Sequence, residues 1–212
     1  IKLGLKNLST PYLKTITQAG GKLDRNLTEK IIEFCREQGI EFISMYGQTE
    51  ASPRMTYLSW KDCSKKIGSI GKAIPFTEIW LEKDNGNKIE NANETGELIF
   101  KGENVSMGYS NGISDLIKGN ENKGILKTGD LAYFDSEGYF YIKGRKSRIT
   151  KIFGNKVNLD EIEQKMKLNG VEVACKEISN KLFIFFNKNL LIEDVLKKLS
   201  HITGQNKKAF NC

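Results

Sequence analysis

Three short strings in this 212-residue sequence carry side chains whose types and spacing could do chemistry. In MYGQTE (Met45–Glu50), an aromatic followed by glycine lets the backbone turn while a flat ring faces a crevice. That arrangement suits stacking of Tyr46 on a nucleobase, with Gly47 as the turn, and the hydroxyl of Thr49 and the carboxylate of Glu50 offer hard oxygens to a phosphate and its Mg²⁺. In LKTGDL (Leu126–Leu131), Asp130 sits beside a glycine turn, a usual way to grip two ribose hydroxyls. The third string, GRKSRITKIFGNKVNLDEIE (Gly144–Glu163), lies in the most basic part of the chain. Lys143, Arg145, Lys146, Arg148, Lys151 and Lys156 follow one another with no acid from Lys143 to Lys156. Such a cluster attracts phosphate on nucleic acid, lipid or nucleotide. Taken singly, the strings also fit a strand-to-loop corner, a common turn and a solvated basic face.

The elements that must position these strings can be read from periodicity. Tyr12–Ala19 reads as a strand ending at Gly20-Gly21, and Asp24–Gln38 as a helix with Asp24 as cap and Leu27, Ile31, Phe34 and Cys35 on one face. Ile40–Met45 is a short apolar strand running into Tyr46-Gly47. This β-α-β order is that of a doubly wound α/β sheet, whose ligands sit beyond the carboxyl ends of the strands. From about Ile67 short strands and turns follow: Glu78–Lys83, the turn Asp84–Asn87, Gly96–Lys101 and Tyr139–Lys143. They predict a compact antiparallel barrel or sandwich. After Gly144 the pattern becomes α+β, with a helix from Asn158 to Leu168 carrying Glu161 in the capping-box position. Strands near Val171–Glu177 and Leu182–Asn187 and a helix near Leu191–Leu199 complete it. The expected fold class is therefore mixed α/β and β: the end of a doubly wound α/β subdomain (1–65), a small distorted antiparallel β-barrel (66–143), and a small α+β C-terminal domain (149–212).

Charge divides the chain at the same level. Residues 1–140 hold 18 basic and 19 acidic residues (net −1), and residues 141–212 hold 15 and 7 (net +8). Composition excludes several classes. The longest purely apolar run, Leu182–Phe186, is far short of the ~20 residues of a membrane helix. Cys35, Cys63, Cys175 and Cys212 lack CxxC spacing, which argues against structural zinc and a disulfide framework and for a reducing cytoplasm. With His201 as the single histidine, a Ser-His-Asp apparatus would have to run through it, and a metal site would be built of oxygens. Trp60, Trp80 and Phe183–Phe186 are expected in the core, and His201 on a solvent-facing helix surface.

Together with AGGKL (Ala19–Leu23) and GELIFKGENVSMGY (Gly96–Tyr109), the three strings stand in the order and near the spacing of the adenylate-forming superfamily. The chain resembles that superfamily, which comprises acyl-CoA synthetases, peptide-synthetase adenylation domains and luciferases, over almost its whole length. MYGQTEASPRMTYL and KIFGNKVNLDEIE look most like bacterial acyl-CoA synthetase relatives associated with surface-polysaccharide biosynthesis. The resemblance implies an ATP-dependent acid–thiol ligase: a small carboxylic acid is adenylated and its acyl group passed to CoA or to the phosphopantetheine of an acyl or peptidyl carrier protein.

It also implies roles for individual residues. The backbone at Gly20, Gly21 and Lys22 would edge the adenine of ATP or AMP, and Tyr46 would stack on it beside Gly47. Thr49 would meet the α-phosphate, Glu50 would hold Mg²⁺, and Asp130 would bind the ribose with help from Arg145. Lys156 stands where the family has a cation facing phosphate, and Gly154 in the loop that approaches the pantetheine arm. Residues 144–148 would be the hinge to a mobile C-terminal domain. The pivot is Ser147 where the family has Asp or Lys, so Lys146 and Arg148 remain alternatives. Glu97 and Tyr109 are expected to hold the barrel together.

The expected phosphate loop would lie upstream of Ile1 and the catalytic lysine just beyond Cys212, so the chain is expected to be a piece of a larger polypeptide and inactive alone. A non-catalytic module that binds nucleotide or an acyl carrier is the alternative, and the basic third would suit an acidic carrier. A nucleic-acid-binding domain explains none of the ordered motifs.

Overall fold

The computed structural model describes residues 10–152, 155–178, 181–187, 189–204, 206 and 210–211. Two compact units divide the chain, Ile1–Lys143 and Gly144–Cys212.

In the first unit, strand β1 (Thr15–Gln18) leads through helix α1 (Arg25–Glu37) to strand β2 (Glu41–Tyr46). The Asp24 side chain caps α1 by accepting from the Leu27 N–H at 3.1 Å, and the backbone stops the helix at Gln38. β1 and β2 are parallel, Thr15 opposite Glu41 and Gln18 opposite Ser44, as a helical crossover requires. Strands β3 (Thr56–Leu58) and β4 (Lys72–Ala73) extend this sheet antiparallel, in the order β1-β2-β3-β4. Phe34 and Cys35 of α1 pack with Ile40, Phe42, Leu58 and Cys63. Burial pushes the thiols of Cys35 and Cys63 above their ordinary values, so both behave as small hydrophobes.

A second sheet follows from β5 (Glu78–Glu82), β6 (Lys88–Ile89), β7 (Gly96–Lys101), β8 (Ile125–Phe134) and β9 (Phe140–Arg145), in the order β6-β5-β7-β8-β9. β5 is antiparallel to β6 and β7, and β7 to β8, which is the antiparallel β region expected from the sequence. Leu81, Ile89, Leu98 and Ala132 form one core beneath it, and Ala51, Met55, Phe100, Val105 and Leu126 another. Tyr46 and Ile79 pack against both clusters, so the end of β2 is seated where the two sheets meet. Gly71 and Phe140 form a bridge between the same sheets.

The second unit holds the hairpin β10 (Ile149–Ile152) and β11 (Asn155–Asn158), helix α2 (Leu159–Leu168), strands β12 (Val173–Ile178) and β13 (Lys181–Phe186), helix α3 (Ile192–Thr203) and strand β14 (Phe210–Asn211). β13 runs antiparallel to β12 and parallel to β14. Leu159, Ile162 and Met166 of α2 and Val195 and Leu199 of α3 cover this sheet with Val171, Cys175, Leu182, Ile184 and Phe210.

Local details depart from expectation. The Asn158 side chain caps α2 through the Asp160 N–H at 3.0 Å, while Glu161 pairs with Lys165 at 2.7 Å instead of closing a capping box. Trp60 is 46% exposed instead of in the core, and Trp80 spends its indole N–H on Glu82 at 2.9 Å. Phe185 is also exposed, because alternate residues of β13 point away from the helices.

Candidate functional site

Parallel pairing puts the carboxyl ends of β1 and β2 on one edge, and the residues that could meet a ligand gather there. Gly20, Gly21 and Lys22 follow β1 after Ala19 and are exposed. The Gln18 amide donates to the Gly21 carbonyl and its oxygen accepts from the Ser44 hydroxyl at 3.1 Å, which ties this turn to β2.

β2 ends in Tyr46-Gly47. A Cβ on Gly47 would lie 2.3 Å from the carbonyl carbon of Pro53, so only glycine lets the chain fold back this tightly. The return places Gln48 and the 3₁₀ turn Thr49–Ala51 beside β8. There the Tyr46 hydroxyl donates to Asp130 Oδ2 at 2.6 Å. Gln48 Nε2 lies 2.9 Å from the same oxygen, 3.0 Å from the Thr128 carbonyl and 3.2 Å from the Tyr46 hydroxyl.

Asp130 is 5% exposed, so its position depends on those donors. Thr128-Gly129-Asp130 lies within β8, not at a turn between strands. Glu97 pairs with Leu131 and Ile99 with Lys127, so Leu98 alone faces Thr128–Asp130. The extra residues form a bulge, with Gly129 at φ +70°, that re-aims Asp130. Thr128 braces the bulge by donating to the Leu98 carbonyl at 2.7 Å and accepting from the Asp130 N–H at 3.1 Å. Glu97 accepts from the Gly129 N–H at 3.3 Å.

Thr49 is exposed and Glu50 half-buried on the adjoining turn. The Tyr109 hydroxyl donates to Glu50 Oε1, and the Ser106 N–H to the Glu50 carbonyl at 2.7 Å. Among the described residues no group of three or more His, Cys, Asp or Glu could hold a metal ion. One carboxylate with hydroxyl neighbours fits Mg²⁺, which is commonly held by one or two carboxylates, the substrate's phosphates and water.

The structure thus brings Gly20, Gly21, Tyr46, Gly47, Thr49, Glu50 and Asp130 into one unit. Lys22 belongs to the same unit, and the other predicted residues belong to the second. Arg145 closes β9, and its N–H faces Asp160 Oδ2 at 3.3 Å. Ser147 is the middle of the 3₁₀ turn Lys146–Arg148. Lys156 pairs in register with Lys151 across β10 and β11. Gly154 lies outside the described residues.

Sequence reasoning missed two contributors to the candidate site, Gln48 and Tyr109, and one structural ion pair, Arg148 with Glu163. Gln48 stands inside YGQTE yet carried no role, although its amide ties Tyr46 to Asp130. Tyr109, expected to hold the barrel, is 70% exposed and bonded to Glu50. Arg148 and Glu163, read as hinge alternative and helix residue, form an ion pair across Nη2 and Oε1. Arg148 Nε also meets Asp160 at 2.7 Å, and Nη1 donates to the Cys175 carbonyl at 2.7 Å. Burial alone would lower the Arg148 pKa, but these carboxylates hold it above its ordinary value. The basic cluster is therefore partly internal structure, which charge counting cannot reveal.

Known proteins share this architecture. Residues 5–110 match the AMP-binding enzyme family. A 2-succinylbenzoate--CoA ligase of Bacillus subtilis (strain 168) is 36% identical over 133 residues, 63% of this chain and 27% of that protein. The luciferin 4-monooxygenase of Photuris pensylvanica is 34% identical over 154 residues, 72% of this chain and 27% of that protein. The solved O-succinylbenzoate Coenzyme A synthetase (MenE) from Bacillus subtilis, in complex with AMP, is similar over 92% of this chain and 40% of its own, with TM-score 0.68 and 28% identity. This chain spans about a quarter to a third of the length of the curated relatives it matches. Half of the sequence carries the family pattern, and it includes both strand ends and the turn that carries Glu50: the chain belongs to the AMP-binding enzyme family.

Proposed function

We propose that this chain is the nucleotide-gripping portion of an ATP-dependent acid–CoA ligase. The observation that carries the reading is the bonded trio Tyr46, Gln48 and Asp130 at the carboxyl edge of β2. It sets an aromatic ring and a buried carboxylate side by side, the pair needed for a nucleoside's base and ribose. In this reading the Gly20-Gly21-Lys22 backbone edges the adenine, the Tyr46 ring covers one face, and Asp130 accepts from the ribose hydroxyls, with Arg145 as the proposed helper. Thr49 donates to the α-phosphate, and Glu50 is the protein ligand for Mg²⁺, which when bound neutralises phosphate charge.

The acid's carboxylate oxygen attacks the α-phosphorus and pyrophosphate leaves. A CoA thiol then attacks the acyl carbon, and AMP carries away the bond electrons. No histidine base is required for the first step, because the nucleophile is already an anion. The chain's work is orientation and charge stabilisation. Lys156 would face phosphate, Gly154 the pantetheine arm, and residues 144–148 would be the hinge, with Ser147 at the pivot, between a 1–143 body and the 149–212 domain.

The relatives named for 2-succinylbenzoate support an aromatic carboxylic acid as substrate. The strings MYGQTEASPRMTYL and KIFGNKVNLDEIE support a finer placement, beside cytoplasmic acyl-CoA synthetases of surface-polysaccharide biosynthesis. The acceptor is CoA, and a carrier-protein phosphopantetheine is the competing thiol.

The test is pyrophosphate release from ATP over a panel of carboxylic acids including 2-succinylbenzoate, with the full parent polypeptide and this chain in parallel, followed by CoA and carrier-protein acceptors. Release by the parent with one acid class, and none by the chain, is expected. Acid-dependent release by the chain alone refutes its assignment as a partial enzyme. Silence from both, with AMP binding lost in Tyr46→Ala and Asp130→Ala, replaces the ligase by a nucleotide-binding module.

A further inference from the structure

Glu50 lies on a three-residue turn, too short to fix a side chain by its own hydrogen bonds. Its position comes from a segment more than fifty residues away in sequence. The Asn104 amide donates to the Ala51 carbonyl and, at 3.2 Å, to the Ser52 hydroxyl. The Ser106 N–H donates to the Glu50 carbonyl at 2.7 Å, and the Tyr109 hydroxyl reaches the Glu50 carboxylate.

The segment is itself anchored. Asn122 Nδ2 donates to the Ser106 carbonyl at 2.8 Å, and the Glu121 and Asn122 N–H groups donate to the Met107 carbonyl at 2.8 and 3.2 Å. Backbone, neighbour and carboxylate of Glu50 are thus each held from one strap, residues 104–109. The Tyr109 ring is 70% exposed, so core packing does not account for where its hydroxyl points.

We propose that Tyr109 is a positioning residue for the metal-ligating carboxylate, a role that rests on the assignment of Glu50 to Mg²⁺. By donating to Oε1, Tyr109 fixes the rotation of the carboxylate before a cation–nucleotide complex arrives. The lone pairs that remain then point in one direction, and the ordering cost is met before binding. Asn104 and Ser106 set the backbone, and Tyr109 sets the terminal torsion.

The experiment uses the whole chain, ¹⁵N-labelled, in excess ATP, titrated with Mn²⁺ as a paramagnetic substitute for Mg²⁺. Broadening of the Thr49, Glu50 and Ala51 amide signals reports cation occupancy at the turn, and a parallel AMP titration without metal reports the nucleoside site. Tyr109→Phe keeps the exposed ring and removes only the hydroxyl. It should raise the half-saturating Mn²⁺ concentration about tenfold, the lower end of what loss of an outer-shell partner costs, while AMP affinity stays within about twofold.

Glu50→Gln should raise the half-saturating Mn²⁺ concentration further. An unchanged Mn²⁺ response in Tyr109→Phe, with a weakened one in Glu50→Gln, overturns the role of Tyr109 and leaves the metal assignment standing. An unchanged response in Glu50→Gln overturns the assignment of Glu50 itself. Equal loss of Mn²⁺ and AMP binding in Tyr109→Phe shows a general structural role and also refutes the proposal.

Discussion

Carboxylates organise both units of this chain, but their described donors differ. In the first unit a phenol and an amide donate to Asp130, which is 5% exposed. In the second, one guanidinium spans Asp160, Glu163 and the Cys175 carbonyl, while Glu163 also accepts from the Cys175 N–H at 2.6 Å. A neutral donor yields its acceptor to a competing ligand at modest cost, since hydrogen bonds of this kind exchange for others of similar strength. An arginine bound to two carboxylates does not, because each charge left behind would be partly buried and uncompensated. The first arrangement suits a site and the second a clamp: it satisfies edge strand β12 and ties it to α2 and to the turn Lys146–Arg148.

The largest effect should come from breaking the clamp. Arg148→Ala leaves two carboxylates and the Cys175 carbonyl without their cation. Removing one partner of a fully buried pair costs 3–5 kcal/mol. The Arg148 side chain is 29% exposed, so solvent screening reduces the expected loss to about 2 kcal/mol. Denaturant unfolding followed by signals from residues 144–212 checks the stability of that unit, and AMP binding should persist. Loss of AMP binding without loss of stability would reverse the comparison and make Arg148 a ligand residue.

Opening the Tyr46–Gln48–Asp130 cluster should cost less stability and more function. Asp130→Asn keeps the shape but sets its own amide against the Tyr46 and Gln48 donors. The expected destabilisation is about 1 kcal/mol, the scale of one exchanged hydrogen bond. AMP affinity should fall about tenfold as a ribose acceptor becomes a mixed donor, measured by calorimetry against the wild-type chain.

The first unit also holds an ionic clamp, which tests whether chemistry or location makes the difference. Lys66 meets Asp135 at 2.8 Å and also pairs with Glu137. Burial would raise the Asp135 pKa, but the bond from Lys66 and the Tyr139 and Glu137 N–H groups hold it below its ordinary value. A lowered carboxylate stabilises the fold above its unfolded pKa, about 3.9 for Asp, and loses that contribution as pH falls through its folded value. Lys66, held above its ordinary value by the Asp135 and Glu137 bonds, loses its contribution only as pH rises above about 10.5. Denaturant midpoints should therefore decline below about pH 4, and Lys66→Met should flatten that decline. A decline of unchanged steepness in Lys66→Met would assign the acid sensitivity elsewhere.

The same contrast explains what was legible beforehand. Period and punctuation located β2, α1, β7 and α2 nearly to the residue, because these elements follow from local pattern and capping. The string YGQTE marked the candidate site, and its Gly47 is legible because it answers to local backbone crowding. What stayed hidden depended on partners remote in sequence. The β8 bulge looks like an isolated turn until Leu98 is seen opposite Thr128–Asp130. Tyr109 looks like a framework residue until the strap returns to Glu50, and Arg148 like one more surface cation until Asp160 and Glu163 close on it.

The smallest effect calibrates the rest. Glu161 and Lys165, one turn apart on α2, form an ion pair at 2.7 Å with side chains 58% and 50% exposed. The distance matches the 2.7 Å Arg148–Asp160 contact, so geometry alone would rank the two together. Water, however, solvates both partners of the exposed pair almost as well apart as together. Its loss in Lys165→Ala should cost about 0.3–0.5 kcal/mol, with a double-mutant cycle to Glu161→Ala isolating the coupling. The coupling should shrink further in high salt. A coupling as large as that of Arg148 would mean that distance, and not shared burial with the Cys175 backbone, sets the strength of these pairs.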